Sequence, residues 1–120
     1  MRGEQYLTSN AQFESVYQKG RSWTGEHLVL RALPNGLDIC RYGITVSKRV
    51  GKAVVRNLVK RRLREILRKT DVKPGWDIIL IARAPAAKAE YWSLDKSTRN
   101  LLLRAGLYMG DYEGVGPGAD

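Results

Sequence analysis

One short segment constrains the fold of this chain more than any other. Four apolar residues follow one another from Ile78 to Ile81, inside a predicted strand that runs from Trp76 to Ala82. A strand with one solvent-exposed face alternates apolar and polar residues, whereas an unbroken apolar run is expected for a strand that is covered on both faces. The chain has 120 residues, enough for one small hydrophobic core. We therefore expect a single domain over residues 1–110, an α-β sandwich around one mixed sheet.

Hydrophobic periodicity and turn residues place the other elements around this strand. Ser9 and Gln12 form a capping-box pattern, which predicts a helix that ends at Gly20. The further predicted elements are two strands, 28–33 and 41–47, and two helices, about 54–69 and about 91–107. Asn35-Gly36 is a turn signal between those two strands, so an antiparallel hairpin is expected there. The glycine-rich segment 111–120 is expected to be a disordered tail.

The charge of the chain indicates its class of partner. Lysine and arginine total 21 against 12 acids, a formal net charge of +9. Such an excess points to a polyanion, either nucleic acid or an anionic membrane surface. Cys40 is the only cysteine, which excludes an internal disulfide and a C-x-x-C metal site. With no signal-peptide pattern and no apolar run of about 20 residues, the expected location is the cytoplasm.

The positive charge is concentrated in one segment. Ten of the 21 basic residues lie between Lys48 and Lys69, and Glu65 is the only acid among them. Neighbours three or four apart on a helix therefore repel one another, where an ordinary solvated face mixes signs. A bound polyanion would relieve this repulsion. The ten residues are Lys48, Arg49, Lys52, Arg56, Lys60, Arg61, Arg62, Arg64, Arg68 and Lys69.

A helical wheel divides the predicted helix into two sides. Six residues fall within an arc of about 140°, and we call them the cationic arc: Arg56, Asn57, Lys60, Arg61, Arg64 and Arg68. The opposite arc is apolar and holds Val55, Val59, Leu63, Ile66 and Leu67. The apolar side is expected to pack on the sheet, which argues against a membrane-surface helix. Two alternatives remain. One is a solvated basic face that binds no ligand, and the other is an RNA-binding protein without an enzymatic partner.

A protein nuclease is a further alternative, and the sequence does not favour it. His27 is the only histidine, and the acids are scattered without an evident cluster. Nuclease chemistry needs grouped carboxylates for metal ions or a pair of acid and base side chains. We therefore expect no catalytic residue and no metal site in this chain, and no cleavage by the protein alone.

Three segments together resemble one family. The most specific is the run from Gly51 to Glu65, GKAVVRNLVKRRLRE, which resembles the signature of the bacterial ribonuclease P protein component. The similarity extends upstream through YGITVSKRV, residues 42–50, and downstream into WDIILIAR, residues 76–83. Near the N-terminus, Phe13, Val16, Tyr17 and Gly20 resemble the family's first helix and its final glycine. The resemblance covers residues 6 to 108 in order.

The resemblance implies an α+β fold with the order α-β-β-β-α-β-α, like that of some ribosomal proteins. Its four-stranded mixed sheet would contain a left-handed β-α-β crossover, opposite to the usual hand. It also implies a non-catalytic subunit of an endoribonuclease, in which a catalytic RNA and its Mg²⁺ ions remove the 5′ leader of precursor tRNA. The expected partners are ribonuclease P RNA and precursor tRNA, with no membrane and no DNA.

The resemblance also assigns roles to residues. The contacts with the RNA subunit would be Lys48, Arg49, Lys52, Arg56, Asn57, Lys60, Arg61 and Arg64. Of these, Arg56, Lys60 and Arg64 are expected to face away from the core. The leader would lie on Phe13 and Tyr17, whose rings can stack on bases without demanding a sequence. Core packing is the alternative for both rings.

Two positions depart from the family pattern. Leu58 stands where the signature commonly has a second arginine, and neighbouring Arg62 is a candidate to compensate. Arg31 stands where relatives often carry an aromatic residue on the strand that faces the leader. An arginine there is expected to pair with a leader phosphate or to stack through its plane.

Overall fold

The computed structural model describes residues 6–110 of the chain. The predicted tail at 111–120 lies outside the described residues and stays a prediction. The element order is α-β-β-β-α-β-α with one short 3₁₀ helix, as the resemblance implies. The elements are α1 Asn10–Lys19, β1 Arg21–Thr24, β2 Leu28–Pro34, β3 Arg41–Thr45, α2 Ala53–Lys69, β4 Trp76–Ala82, the 3₁₀ helix Ala84–Lys88 and α3 Tyr91–Arg104.

The four strands form one mixed sheet in the order β1-β2-β4-β3. β1 pairs with β2 and β2 pairs with β4, both antiparallel, while β3 and β4 are parallel and α2 connects them. The four-stranded mixed sheet is therefore confirmed, and the left hand of its crossover stays a prediction. The sequence patterns alone had not located β1, which lies between Gly20 and Gly25 and is only four residues long.

The predicted hairpin between β2 and β3 is wrong. β4 lies between these two strands and pairs with both. The turn itself forms, because the Asn35 side-chain oxygen accepts a hydrogen bond from the Leu37 amide at 2.7 Å. The chain then continues past the turn and enters β3 on the far side of β4. The physical reason is that β4 is apolar on both faces, so the central position, with a neighbour on each edge and a layer on each face, belongs to it.

Helices cover both faces of the sheet. α2 and α3 pack on the face that carries Ile78 and Leu80, where the main core lies. α1 packs on the other face, where Val16 and Ile79 are fully buried in a second, smaller cluster. Successive residues of β4 thus enter different cores, as the unbroken apolar run predicts.

The ends of two helices follow the sequence signals. At α1, the Ser9 hydroxyl accepts from the Gln12 amide at 3.2 Å and the Gln12 side chain accepts from the Ser9 amide at 3.1 Å, a complete capping box. α3 ends at Arg104, three residues before the predicted end. Gly106 there has φ +77°, and the Leu107 amide returns to the Leu102 carbonyl at 2.8 Å, which closes the helix.

One buried carboxylate fixes the entry to the central strand. Asp77, 5% exposed, accepts two hydrogen bonds from Arg41, at 2.8 and 2.7 Å, and one from the side-chain nitrogen of Asn35 at 2.9 Å. The fork of an arginine suits such a two-point contact. The same carboxylate therefore joins β4, β3 and the turn after β2.

The position of α1 depends on a glycine in β3. A Cβ built on Gly43 would lie 2.6 Å from two atoms of the Phe13 ring. We expect Gly43→Ala to push α1 outward and to lower the free energy of unfolding by about 1–3 kcal/mol, the usual cost of overpacking. Urea unfolding would measure it.

A double variant separates this crowding from other effects of the alanine. Gly43→Ala combined with Phe13→Leu should be more stable than the sum of the two single changes predicts, because the smaller side chain leaves space for the Cβ. Gly25→Ala is the control, since its Cβ would meet only ordinary contacts, the nearest at 3.4 Å. Strict additivity of the two changes would show that Phe13 does not restrict position 43.

Candidate nucleic-acid interface

The predicted cationic helix forms, and its apolar side lies against the sheet. Val59, Leu63, Ile66 and Leu67 are buried in the main core. On the opposite side, four members of the cationic arc are exposed: Asn57, Arg61, Arg64 and Arg68. The two arcs of the wheel are thus a packed side and a side open to a partner.

Two members of the arc are not fully exposed. Arg56 and Lys60 are half-buried, so each is only partly turned away from the core. They border the apolar side of the wheel, close to Leu67. The Nε of Arg56 is shielded from solvent and has no hydrogen-bond partner within residues 6–110. The centre of the open surface therefore lies nearer Arg61 and Arg64 than the wheel alone suggested.

Arg62 is used by the protein itself. It is half-buried, and its Nη1 donates to the carbonyl of Ala89 at 3.0 Å, which ties α2 to the segment before α3. Arg62 thus has a role within the protein, and its compensation for the arginine that is absent at position 58 stays a prediction. Leu58 is half-buried beside it.

The start of α2 concentrates positive charge. Lys48, Arg49 and Lys52 are exposed in the seven residues between β3 and α2, and no acid lies in the first turn of the helix. The first amides of a helix have no partner within it and carry a partial positive charge. Cations at this end oppose the helix dipole, so the arrangement costs stability unless an anion binds.

On the other face of the sheet, α1 presents two aromatic residues in different ways. Phe13 is half-buried against Gly43 and belongs to the smaller core cluster. Tyr17 is 39% exposed, and its hydroxyl shares a hydrogen bond of 3.0 Å with the Thr45 hydroxyl. Core packing therefore accounts for much of Phe13, whereas the Tyr17 ring is available to a ligand.

Arg31 holds the end of α1. Its Nη2 donates to the carbonyls of Tyr17 and Gly20, and both Nε and Nη2 lie 3.4 Å from the carbonyl of Val16. A cation at a helix C-terminus is favourable, since the last carbonyls carry partial negative charge. Its guanidinium carbon lies 5.9 Å from the centre of the Tyr17 ring. Arg31 therefore positions Tyr17, and its predicted contact with a leader stays a prediction.

Beside α1, one row of side chains on the sheet is only partly buried. The register aligns Thr24, Val29, Ile81 and Thr45 across all four strands. Val29, Ile81 and Thr45 are half-buried and Thr24 is exposed, whereas Ile79 in the next row is fully buried under α1. We call these four residues the open row. Two of the four are apolar and two carry hydroxyls, and α1 leaves this strip of the sheet only partly covered. We call the strip, together with the exposed Tyr17 beside it, the Tyr17 cleft.

The two surfaces meet at the end of β3. Thr45, which ends β3 and bonds Tyr17, precedes Lys48 by only three residues. The cleft on the α1 face therefore opens beside the basic segment that leads into α2. The sequence patterns did not find the open row, because its members come from four separate strands; the polar alternation of β3 at Thr45 was the one available signal.

The described part of the chain contains neither a cluster of metal-ligating side chains nor a membrane-spanning helix. Between residues 6 and 110, no three His, Cys, Asp or Glu side chains lie together in a way that could hold a metal ion. Asp77 and Asp95 are paired with Arg41 and Arg99, at 2.7 and 3.0 Å. Over the same residues, no helix combines the length and the apolar character that a membrane span requires.

Comparison with known proteins agrees with this geometry. The family model described as Ribonuclease P matches residues 1–106. The ribonuclease P protein component of Dehalococcoides mccartyi is 42% identical over 105 residues, which cover 88% of each chain.

Solved structures agree as well. The RNase P protein of Staphylococcus aureus superposes with a TM-score of 0.78 at 35% identity, over 86% of this chain and 96% of that one. The Thermotoga maritima RNase P protein gives 0.77 at 32% identity, over 83% and 96%. Sequence, fold and topology agree over most of the chain, and the protein belongs to the ribonuclease P protein component family.

Proposed function

We propose that this protein is the RNA-binding subunit of a ribonuclease P that removes the 5′ leader from precursor tRNA in the cytoplasm. The catalytic RNA binds the cationic arc of α2 and the basic residues before it. The single-stranded leader lies in the cleft formed by Tyr17 and the open row. The observation that carries this proposal is the junction of the two surfaces at Thr45 and Lys48.

The chemistry of each surface suits its proposed ligand. Arginines offer planar forks for phosphate, and the exposed Arg61 and Arg64 lie one turn apart or less on α2. Asn57, exposed on the same side, can both donate and accept hydrogen bonds at a sugar or a base edge. An RNA that binds here relieves the repulsion among the cations and occupies the free amides at the start of α2.

The cleft suits unpaired nucleotides of any sequence. A flat ring such as that of Tyr17 stacks on every base, and the apolar Val29 and Ile81 do not select among bases through hydrogen bonds. Arg31 supports this ring, because it bonds the Tyr17 carbonyl and its guanidinium carbon lies 5.9 Å from the ring centre. The cleft thus fits a protein that accepts many different leaders.

The protein itself contributes binding and positioning. Mg²⁺ would be held mainly by the RNA subunit and would supply charge neutralisation for the reaction. Residues 6–110 hold no carboxylate cluster that fits such an ion. We assign catalysis to the RNA subunit, as membership of the ribonuclease P protein component family implies.

Removing two exposed cations tests the α2 surface. We expect Arg61→Ala with Arg64→Ala to weaken binding of ribonuclease P RNA roughly 10- to 100-fold, because two charge-assisted contacts are lost. The slope of log K against log salt should become shallower by roughly 1.5, about 0.7–0.9 for each phosphate contact. Filter binding across a salt series would measure both.

A matched pair of lysines controls for charge alone. Lys73→Ala with Lys88→Ala removes the same charge from exposed positions outside α2. Circular dichroism would show that both double variants keep the fold. Equal losses of affinity in the two double variants would mean that net charge, and not the α2 surface, determines binding.

The cleft is tested through the Tyr17 ring. Tyr17→Ala should lower the affinity of the holoenzyme for precursor tRNA about 5- to 100-fold, since stacking on one base contributes about 1–3 kcal/mol. Tyr17→Phe keeps the ring and should cost far less, although it loses the bond to Thr45. Affinity for mature tRNA should not change.

Trp92→Ala is the control for this experiment. Trp92 is an aromatic residue, 69% exposed, on α3, which packs on the opposite face of the sheet. If Tyr17→Phe weakens binding as much as Tyr17→Ala, the hydroxyl rather than the ring makes the contact, and the stacking role is wrong.

Reconstitution tests the whole function. Added to a bacterial ribonuclease P RNA at low Mg²⁺, the protein should accelerate leader removal and favour precursor over mature tRNA in binding. Equal effects on the two tRNA forms would instead indicate a general RNA-binding protein. Leader cleavage by the protein without RNA would contradict the assignment of catalysis to the RNA.

A further inference from the structure

A second cleft lies at the β1 edge of the sheet, on the side where α3 packs. It has a volume of about 570 Å³ and lies between the turn from β1 to β2 and the outer side of α3. No residue assigned above to the RNA subunit or the leader lines it. Its lining residues are Gly25, Glu26, His27, Ser93, Lys96, Ser97, Asn100, Leu101 and Arg104.

The α3 wall of this cleft has an unusual composition. Five residues one helical turn apart, with Lys96 and Ser97 adjacent in the second turn, share one side of the helix: Ser93, Lys96, Ser97, Asn100 and Arg104. This side carries two cations, two hydroxyls and an amide, and no acid. A solvated helix face ordinarily mixes both signs of charge, so the wall has the character of an anion-binding surface.

The acids near the cleft do not cancel this charge. Glu26 is the only acid in the lining, and it is exposed on the turn. Asp95 on α3 is paired with Arg99 at 3.0 Å. The ammonium of Lys96 is exposed and makes no ion pair or hydrogen bond with any residue between 6 and 110. One cation of the wall is thus free to bind a ligand.

The walls of the cleft are held in place by the protein. His27 Nδ1 shares a hydrogen bond of 2.9 Å with Ser97 Oγ, which joins the turn to α3. Arg104 donates to the carbonyl of Thr24 at 3.0 Å, and Arg83 donates to that of Gly25 at 2.6 Å. The cleft is therefore formed before any ligand arrives, which lowers the cost of binding.

The cleft adjoins the outer end of the open row. The row runs from Thr45 on β3 to Thr24 on β1, three interstrand spacings or about 14 Å. Thr24 is also the residue whose carbonyl Arg104 holds. An extended RNA strand that enters beside Lys48 and crosses the row therefore leaves the sheet at Thr24, beside Arg104, which lines the same cleft as Lys96.

We propose that this cleft binds backbone phosphate of the single-stranded leader, at nucleotides farther from the cleavage site than those in the Tyr17 cleft. The inference rests on the proposed function. Lys96 and Arg104 contact the phosphate as cations, and the hydroxyls of Ser93 and Ser97 line its approach. Because no base is read, the site lengthens the leader footprint without adding sequence preference.

A series of leader lengths tests this site. The affinity of the reconstituted holoenzyme is measured for precursor tRNAs whose leaders grow in steps from one to about sixteen nucleotides. The upper length is the largest site size of single-strand binding folds. Lys96→Glu should weaken binding of the long leaders roughly fivefold or more and leave the shortest unchanged. The length at which this loss begins should exceed that at which Tyr17→Ala first matters.

Lys73→Glu is the matched control, because it makes the same charge change on an exposed loop at the other end of β4. If Lys96→Glu and Lys73→Glu behave alike at every leader length, the cleft does not bind the leader. If Lys96→Glu instead weakens binding of ribonuclease P RNA in the absence of tRNA, the site belongs to the RNA subunit and the inference is wrong.

Photo-crosslinking gives a readout that does not depend on affinity. Burial raises the pKa of the Cys40 thiol to about 12, so this cysteine stays protonated and unreactive in the folded protein. A crosslinker attached to the cysteine of the Lys96→Cys variant should reach leader nucleotides farther from the cleavage site than one attached to the Gln18→Cys variant. Gln18 is an exposed residue next to Tyr17 in the chain. Lys73→Cys should reach no leader nucleotide.

The two crosslinking positions separate the two proposals. Contact with the leader from position 18 but not from position 96 overturns only the phosphate site. Absence of leader contact from both positions overturns the leader cleft as well, and with it the proposed function.

Discussion

The structure depends on β4, the strand that hydrogen-bonds to neighbours on both edges and is packed on both faces. β2 lies antiparallel on one side of it and β3 parallel on the other. Ile78 and Leu80 enter the core under α2 and α3, while Ile79 enters the core under α1. Because one strand supplies both cores, neither helical layer can form without it. The buried Asp77 at its start fixes the register with Arg41.

The position of β4 also explains why the two proposed binding surfaces lie on different sides of the sheet and meet near Thr45. A parallel neighbour requires a crossover, so α2 must pass over the sheet between β3 and β4. Its apolar side becomes part of the main core, and its cations face outward. The loop that enters this crossover follows Thr45, the last residue of β3, whose hydroxyl shares a hydrogen bond with Tyr17 of α1. A catalytic RNA on α2 and an RNA strand on the α1 face can therefore be parts of one complex.

The distribution of charge on the protein favours an anionic partner. Cations gather at the start of α2, against the helix dipole and against one another. The protein tolerates this arrangement, whereas elsewhere its arginines are used internally: Arg31 for α1, Arg62 for Ala89, and Arg83 for the turn at Gly25. These three arginines are structural. Those left exposed in one place have the character of a binding surface.

The sequence by itself determined the local elements, the central strand and the basic helix, because period, caps and charge are properties of neighbouring residues. It also determined the family, through the signature around Arg56 and Asn57. It misplaced β3, since a turn at Asn35 does not decide which strand lies beside it. Tertiary structure alone decided that Arg56 and Lys60 are half-buried and that Arg31 holds α1. Only the sheet register aligned Thr24, Val29, Ile81 and Thr45, because residues far apart in sequence become neighbours through packing.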